Sequence, residues 1–111
     1  MKYLITALLF IYSLQTQAGK VDDGVITKLA INKNIGNTVF IYTNEAKDTD
    51  PQCQTNHAWR YVLELQTDID KSLFSMLLAA KAGGAKVRLN GNSLCDTFSS
   101  VETLRYVEIK P

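Results

Sequence analysis

Along this chain the apolar residues change period twice. Between residues 67 and 87 they recur at three- and four-residue steps; on either side they alternate or stand in short blocks. Ile69, Leu73, Met76, Leu77 and Ala80 form one apolar stripe at helical spacing, with Lys71 and Lys81 off it. Thr67, Asp68 and Asp70 are candidate N-cap residues, because a short side-chain oxygen accepts from the first free backbone N–H groups. Both aspartates also place negative charge at the positive end of the helix dipole. Gly83-Gly84 marks the stop, since glycine enters the left-handed C-cap conformation without a Cβ penalty. Ala79, Ala80 and Ala82 make the last turns narrow, which suits either packing on a sheet or close approach of another surface.

Strand-like patterns flank this helix. Gly24 to Asn32 alternates and is rich in β-branched residues, with Val25, Leu29 and Ile31 on one face and Ile26, Lys28 and Ala30 on the other. Asn34-Ile35-Gly36-Asn37 is a turn, and Thr38 to Thr43 a second strand antiparallel to the first. Asn44 to Ala58 is a long polar loop without periodicity. Arg60 to Gln66 reads as strand three, with Tyr61, Leu63 and Leu65 on one face. After the helix come a fourth strand, Ala85 to Leu89, a turn at Asn90-Gly91-Asn92, and a last strand within Val101 to Ile109. Phe98 and Tyr106 read as core. The order is three strands, one helix, two strands. That is a mainly β, α+β plan with the helix between strands 3 and 4: an OB-fold-like five-stranded Greek-key barrel, with the helix closing one end.

The N-terminus reads differently. Lys2 is a minimal positive region, Tyr3 to Leu14 an apolar run, and Gln15 to Ala18 a polar stretch ending in a small residue. This is the pattern of a signal peptide, residues 1–18, too short for a transmembrane span. Cleavage after Ala18 leaves 93 of the 111 residues, 19–111, as a single domain. Losing Lys2 takes the formal charge from +1 to 0, eleven basic against eleven acidic side chains. No basic block stands out, so no nucleic-acid footprint exists. The destination is secreted or periplasmic.

Two cysteines follow that signal, Cys53 and Cys95. An even count in an oxidising compartment favours a disulfide. It would close a loop of about forty residues around the helix, worth roughly 4 kcal/mol in the chain-entropy model. Two other uses of the same atoms are a metal site on Cys53, His57 and Cys95 with Asp96, and a Cys–His nucleophile pair.

The export signal, the element order, the cysteine pair spanning the helix and the run SLFSMLLAAKAGGAKVRLNGNSLC resemble small exported proteins related to the B subunits of AB5 toxins, in particular the subtilase cytotoxin B-subunit-like group. The likeness covers most of residues 19–111 in layout and is specific in the helix–Gly-Gly–strand–Cys run. The resemblance implies an OB-fold, assembly into a ring of five with the helices lining a pore, and binding of cell-surface glycans. It assigns no site residue, because the glycan-contact motif of those toxins has no residue-by-residue counterpart here.

From the residues themselves, a sugar site needs an aromatic platform beside a few polar groups. Trp59 ends the long loop next to His57, Asn56 and Arg60; Tyr42, Thr43 and Asn44 leave strand two at its other end. The candidate ligand-binding set is therefore Tyr42, Thr43, Asn44, His57 and Trp59, with Trp59 and Tyr42 equally suited to packing at a barrel end. Enzymatic motifs are absent: Ser72 and Ser75 have no nearby histidine, and there is no phosphate loop, HExxH or GxSxG. Asp48 and Asp50 read as solvated loop charges; as a Ca²⁺ loop they lack the glycine and closing glutamate. No cofactor is implied. The expected function is a non-enzymatic binding module, for a glycan or a partner protein, in an oligomer. The alternative is a monomeric structural or accessory envelope protein with no sugar site.

Overall fold

The computed structural model describes residues 18–111. The signal segment, apart from Ala18, lies outside the described residues. The elements are β1 (Lys20–Ile31), β2 (Thr38–Thr43), β3 (Tyr61–Glu64), α1 (Asp68–Gly83), β4 (Lys86–Gly91) and β5 (Leu104–Ile109). They build a mainly antiparallel five-stranded sheet in the order β3-β2-β1-β4-β5, with one helix packed against it. The two outer strands of that order also touch. Val62 bridges Thr103 in parallel, and the Val62 N–H donates to the Glu102 carbonyl at 3.0 Å. Among the described residues no helix is long and apolar enough to cross a membrane.

β1 starts four residues earlier than the alternation indicates, and its inward face is different. Its first half pairs with β4 and its second half with β2. The register shifts once between Val21 and Gly24 and again between Ile26 and Lys28. Each shift is one extra residue in β1, which changes the phase of the pleat. Ile26 and Leu29 therefore both face the main core while Lys28 faces out. Val25 is only half-buried and Ile31 is exposed, against the strict alternation expected from the sequence.

The main core gathers Val21 and Ile26 from β1, Val39 and Ile41 from β2, Tyr61 and Leu63 from β3, Val87 and Leu89 from β4, and Leu104 and Val107 from β5. Helix α1 covers it with Leu77 and Ala80, flanked by Leu73, Phe74 and Met76. Ile69, expected on this stripe, is 66% exposed, and Phe74 takes its place. Ile69 lies in the first turn of the helix. Thr67 caps the helix: its hydroxyl oxygen accepts from the Asp70 N–H at 3.3 Å, and the Asp70 carboxylate accepts from the Thr67 N–H at 3.0 Å. Gly84 ends it at φ 63°.

Two further expectations change. Asn90 and Gly91 are the last residues of β4 rather than a turn. A Cβ at Gly91 would strike the Glu102 side chain, so the glycine provides space for a buried carboxylate. Tyr106 is not core. It is 38% exposed and donates its hydroxyl to Glu108 at 2.7 Å.

Cys53 and Cys95 are bonded, with Cα atoms 6.0 Å apart and a sequence separation of 42. The bridge ties the long loop to the segment before β5. Both thiols are consumed, so the thiolate metal site and the Cys–His nucleophile do not form. Asp48 and Asp50 are exposed; Asp48 accepts from the Lys20 N–H, and Asp50 pairs with Lys47 at 2.9 Å.

Candidate aromatic cleft

The pleat that sends Val39 and Ile41 into the main core sends Phe40 and Tyr42 to the opposite face of the sheet. There Phe40, Val62 and Val101 form a second, smaller cluster, with Ala30, Trp59 and Phe98 packed on it. Phe98 reaches Phe40 edge-on, with ring centroids 5.1 Å apart at 83°. Trp59 leans on Phe40 at 5.5 Å and 51°. Such tilted and edge-on pairs put the positive ring edge near a negative face.

These rings do not fill the space beside them. A cleft of about 450 Å³ opens here, floored by Ala30, Phe40, Trp59 and Phe98. Ile31 and Ile35, at the β1–β2 turn, make an apolar wall. Asn32, Lys33 and Asn56 contribute polar groups. The Asn56 side-chain oxygen accepts from the Ala58 N–H at 3.0 Å, and its own N–H donates to the Ser100 carbonyl at 3.1 Å, which fixes this part of the loop.

Cations flank the aromatic face. The Lys28 ammonium lies 4.6 Å from the Tyr42 ring centroid and 5.3 Å from that of Trp59. The Arg60 guanidinium is 4.4 Å from the Tyr42 centroid and donates to the Tyr42 hydroxyl at 3.2 Å. Cation–π attraction thus holds Tyr42 and Trp59 in one constellation across β1 and β2.

Of the five residues expected in a binding set, Tyr42 and Trp59 share this face and the others do not. Thr43 is fully buried, with its hydroxyl donating to the Glu45 carbonyl at 2.6 Å. The Asn44 side chain accepts from the Val25 N–H at 2.8 Å, a strap between loop and strand. His57 is exposed, its Nδ1 3.9 Å from Asp50 and away from the cleft lining. Phe40, Lys28, Asn32 and Lys33 belong to the constellation although nothing singled them out. Lys28 stands on the polar face of strand one, and Phe40 opposes Ala30 of that face across the β1–β2 pairing, which is the available signal.

A polar cluster stands behind the loop. Gln54 is buried; its amide nitrogen donates to the carbonyls of Asn56 at 2.8 Å and Trp59 at 3.0 Å. Its amide oxygen accepts from the Glu102 N–H at 2.7 Å and from Lys47 at 3.0 Å. The Trp59 backbone is therefore positioned by buried hydrogen bonds rather than left to a mobile loop. Comparison of this chain with family models, with curated proteins and with solved structures finds no match.

Proposed function

We propose that this chain is an exported, non-enzymatic binding module on an OB-fold-like barrel, with carbohydrate as its ligand class and the Trp59 cleft as its site. The observation that carries the reading is the half-buried Trp59 ring beside Phe40, with the amides of Asn32 and Asn56 in the same cleft lining. A flat apolar ring accepts the C–H face of a sugar, and amides match its hydroxyl groups. The barrel reading is supported by the order β3-β2-β1-β4-β5, by the parallel bridge between β3 and the segment before β5, and by α1 following β3 in sequence. Export is supported by the disulfide, which fits an oxidising compartment. Ser72 and Ser75 donate to helix carbonyls of Asp68 and Lys71, and His57 stands outside the cleft.

The resemblance to toxin B subunits adds a ring of five copies. Ala79 and Ala82 are exposed on the last turns of α1, which would let a neighbouring helix approach closely. A glycan array on the processed protein tests the ligand class. Binding that disappears in Trp59→Ala and survives in Tyr106→Ala, on another surface, is the expected result; an array without a single hit ends the carbohydrate reading. Light scattering tests the ring, which should run near five times the protomer mass.

A second reading is favoured by one contact. Lys28 already lies over both Tyr42 and Trp59, as in a surface built for stability. In that case the chain is a monomeric structural or accessory envelope protein. A monomer in solution together with a blank array would establish this alternative.

A further inference from the structure

We propose that the chain is cut between Ala18 and Gly19, and that the new α-ammonium of Gly19 locks into a buried socket built on Glu102. The inference rests on the export part of the reading above and is independent of any sugar site. Gly19 is buried, and its nitrogen lies 3.3 and 3.2 Å from the two carboxylate oxygens of Glu102. A peptide N–H has one proton to divide between those oxygens. An ammonium has three and a full positive charge.

Charge balance points the same way. Glu102 is fully buried, and among the described residues Lys47 is its one side-chain cation, at 3.1 Å. Lys47 is shared: it also pairs with Asp50 at 2.9 Å. Asp50 is 38% exposed and shares its charge with solvent, so Lys47 divides its protons between a wet carboxylate and the dry one of Glu102, which gains from a second donor. The α-ammonium supplies the second cation at the point where Glu102 already faces the Gly19 nitrogen.

The socket is also shaped for this residue. A Cβ at Gly19 would come within 2.8 Å of Glu102 Oε1 and 2.9 Å of Lys47 Cδ, and would strike the Thr49 carbonyl. The Gly19 carbonyl is held from the other side by the Tyr61 hydroxyl at 2.8 Å and the Gly91 N–H at 3.0 Å. Thr16-Gln17-Ala18, directly before it, has the small–x–small pattern that export peptidases cut. In the step, water adds to the Ala18 carbonyl carbon and the C–N bond breaks. The leader departs with the Ala18 carboxylate, and the Gly19 amine takes up a proton to become the ammonium. The export peptidase is the catalyst and water the co-reactant.

The test uses the full chain expressed with its leader in an exporting host. Mass spectrometry of the purified product should find Gly19 as the first residue. The native product is then pulsed at neutral pH with an acetylating reagent, and the N-terminal peptide is compared with that from the urea-unfolded product. The α-amine should react about tenfold or more slowly in the native state, the worth of one charge-assisted hydrogen bond. Glu102→Gln should abolish that protection; if this variant does not fold, the two wild-type rates still decide. A retained leader overturns both the socket and the export reading. A first residue other than Gly19, or a Gly19 amine acetylated equally fast folded and unfolded, overturns the socket and leaves export standing.

Discussion

Lys47 and Glu102, 55 residues apart in sequence, meet at 3.1 Å with side chains only 2% and 0% exposed. The pair joins the long loop after β2 to the segment before β5. Glu102 also accepts from the Ser93 N–H at 2.9 Å, and Lys47 lies 4.9 Å from the Tyr61 ring centroid. Removing one partner of such a pair leaves the other charged and dry. Glu102→Gln and Lys47→Met should each destabilise the fold by about 3–5 kcal/mol, and the double variant by clearly less than their sum. Urea titrations of the four proteins measure the coupling, and strict additivity would refute it.

The disulfide should act mainly on the unfolded chain. Closing a loop across 42 residues corresponds to about 4 kcal/mol in the chain-entropy model. Cys53→Ser with Cys95→Ser should lower the urea midpoint accordingly, and the same shift should follow reduction of the wild type. A much smaller shift would mean that the Gln54 and Lys47 contacts already hold the loop in the unfolded ensemble.

The helix gives a matched comparison. Leu77 is fully buried and Ile69 is 66% exposed, although both stand on one sequence stripe. Leu77→Ala should cost about 2–5 kcal/mol and Ile69→Ala less than about 0.5 kcal/mol. Thr67→Ala, which removes the cap, should fall between them at about 1 kcal/mol. Thermal or urea unfolding gives all three values.

Alkaline pH should find Tyr61. Burial pushes its phenol far above the ordinary tyrosine range, and the neighbouring charge of Glu102 adds to the shift. The folded state therefore keeps a proton that the unfolded chain releases at about pH 10. A group with a raised folded pKa contributes its stability fully below the unfolded value and loses it as pH climbs beyond. The wild type should lose stability between pH 8 and 11, and Tyr61→Phe should lose less over the same interval. Urea midpoints at the two pH values provide the check; equal losses would show that the phenol is not responsible.

Much of this architecture is written in local pattern. The Thr67 cap, the Gly84 stop, the inward Tyr61 and Leu63 and the pairing of the two cysteines follow from spacing and residue type. What pattern does not carry is phase and depth. An alternation rule puts Val25 in phase with Leu29 because it has no means of seeing the extra residue at Thr27, and it puts Ile31 in the core because it does not see that the strand ends there. Ile69 looks like Leu77 on a helical wheel, yet only tertiary position decides which turn meets the sheet. Glu102, between Val101 and Thr103, reads as an outward strand residue; the glycines that make room for it, Gly19 and Gly91, are distant in sequence. The aromatic cleft was half legible. Tyr42 and Trp59 flank a suspicious loop, but Phe40 and Lys28 join them only through the pairing of β1 with β2.

The offsets in β1 make that strand a counted object. Deleting the extra residue Thr27 would leave the pairs Ile26–Thr43, Lys28–Tyr42 and Leu29–Ile41 in place as a regular pleat, whereas deleting a paired residue such as Lys28 would change the partner of every residue on one side of the cut. The adjoining segment from Asn32 to Asn37 is exposed throughout and carries no such arithmetic. Evolution and engineering alike should find chain length frozen at the paired positions of Val21 to Leu29, tolerant only at the extra residues, and free to vary a few residues later.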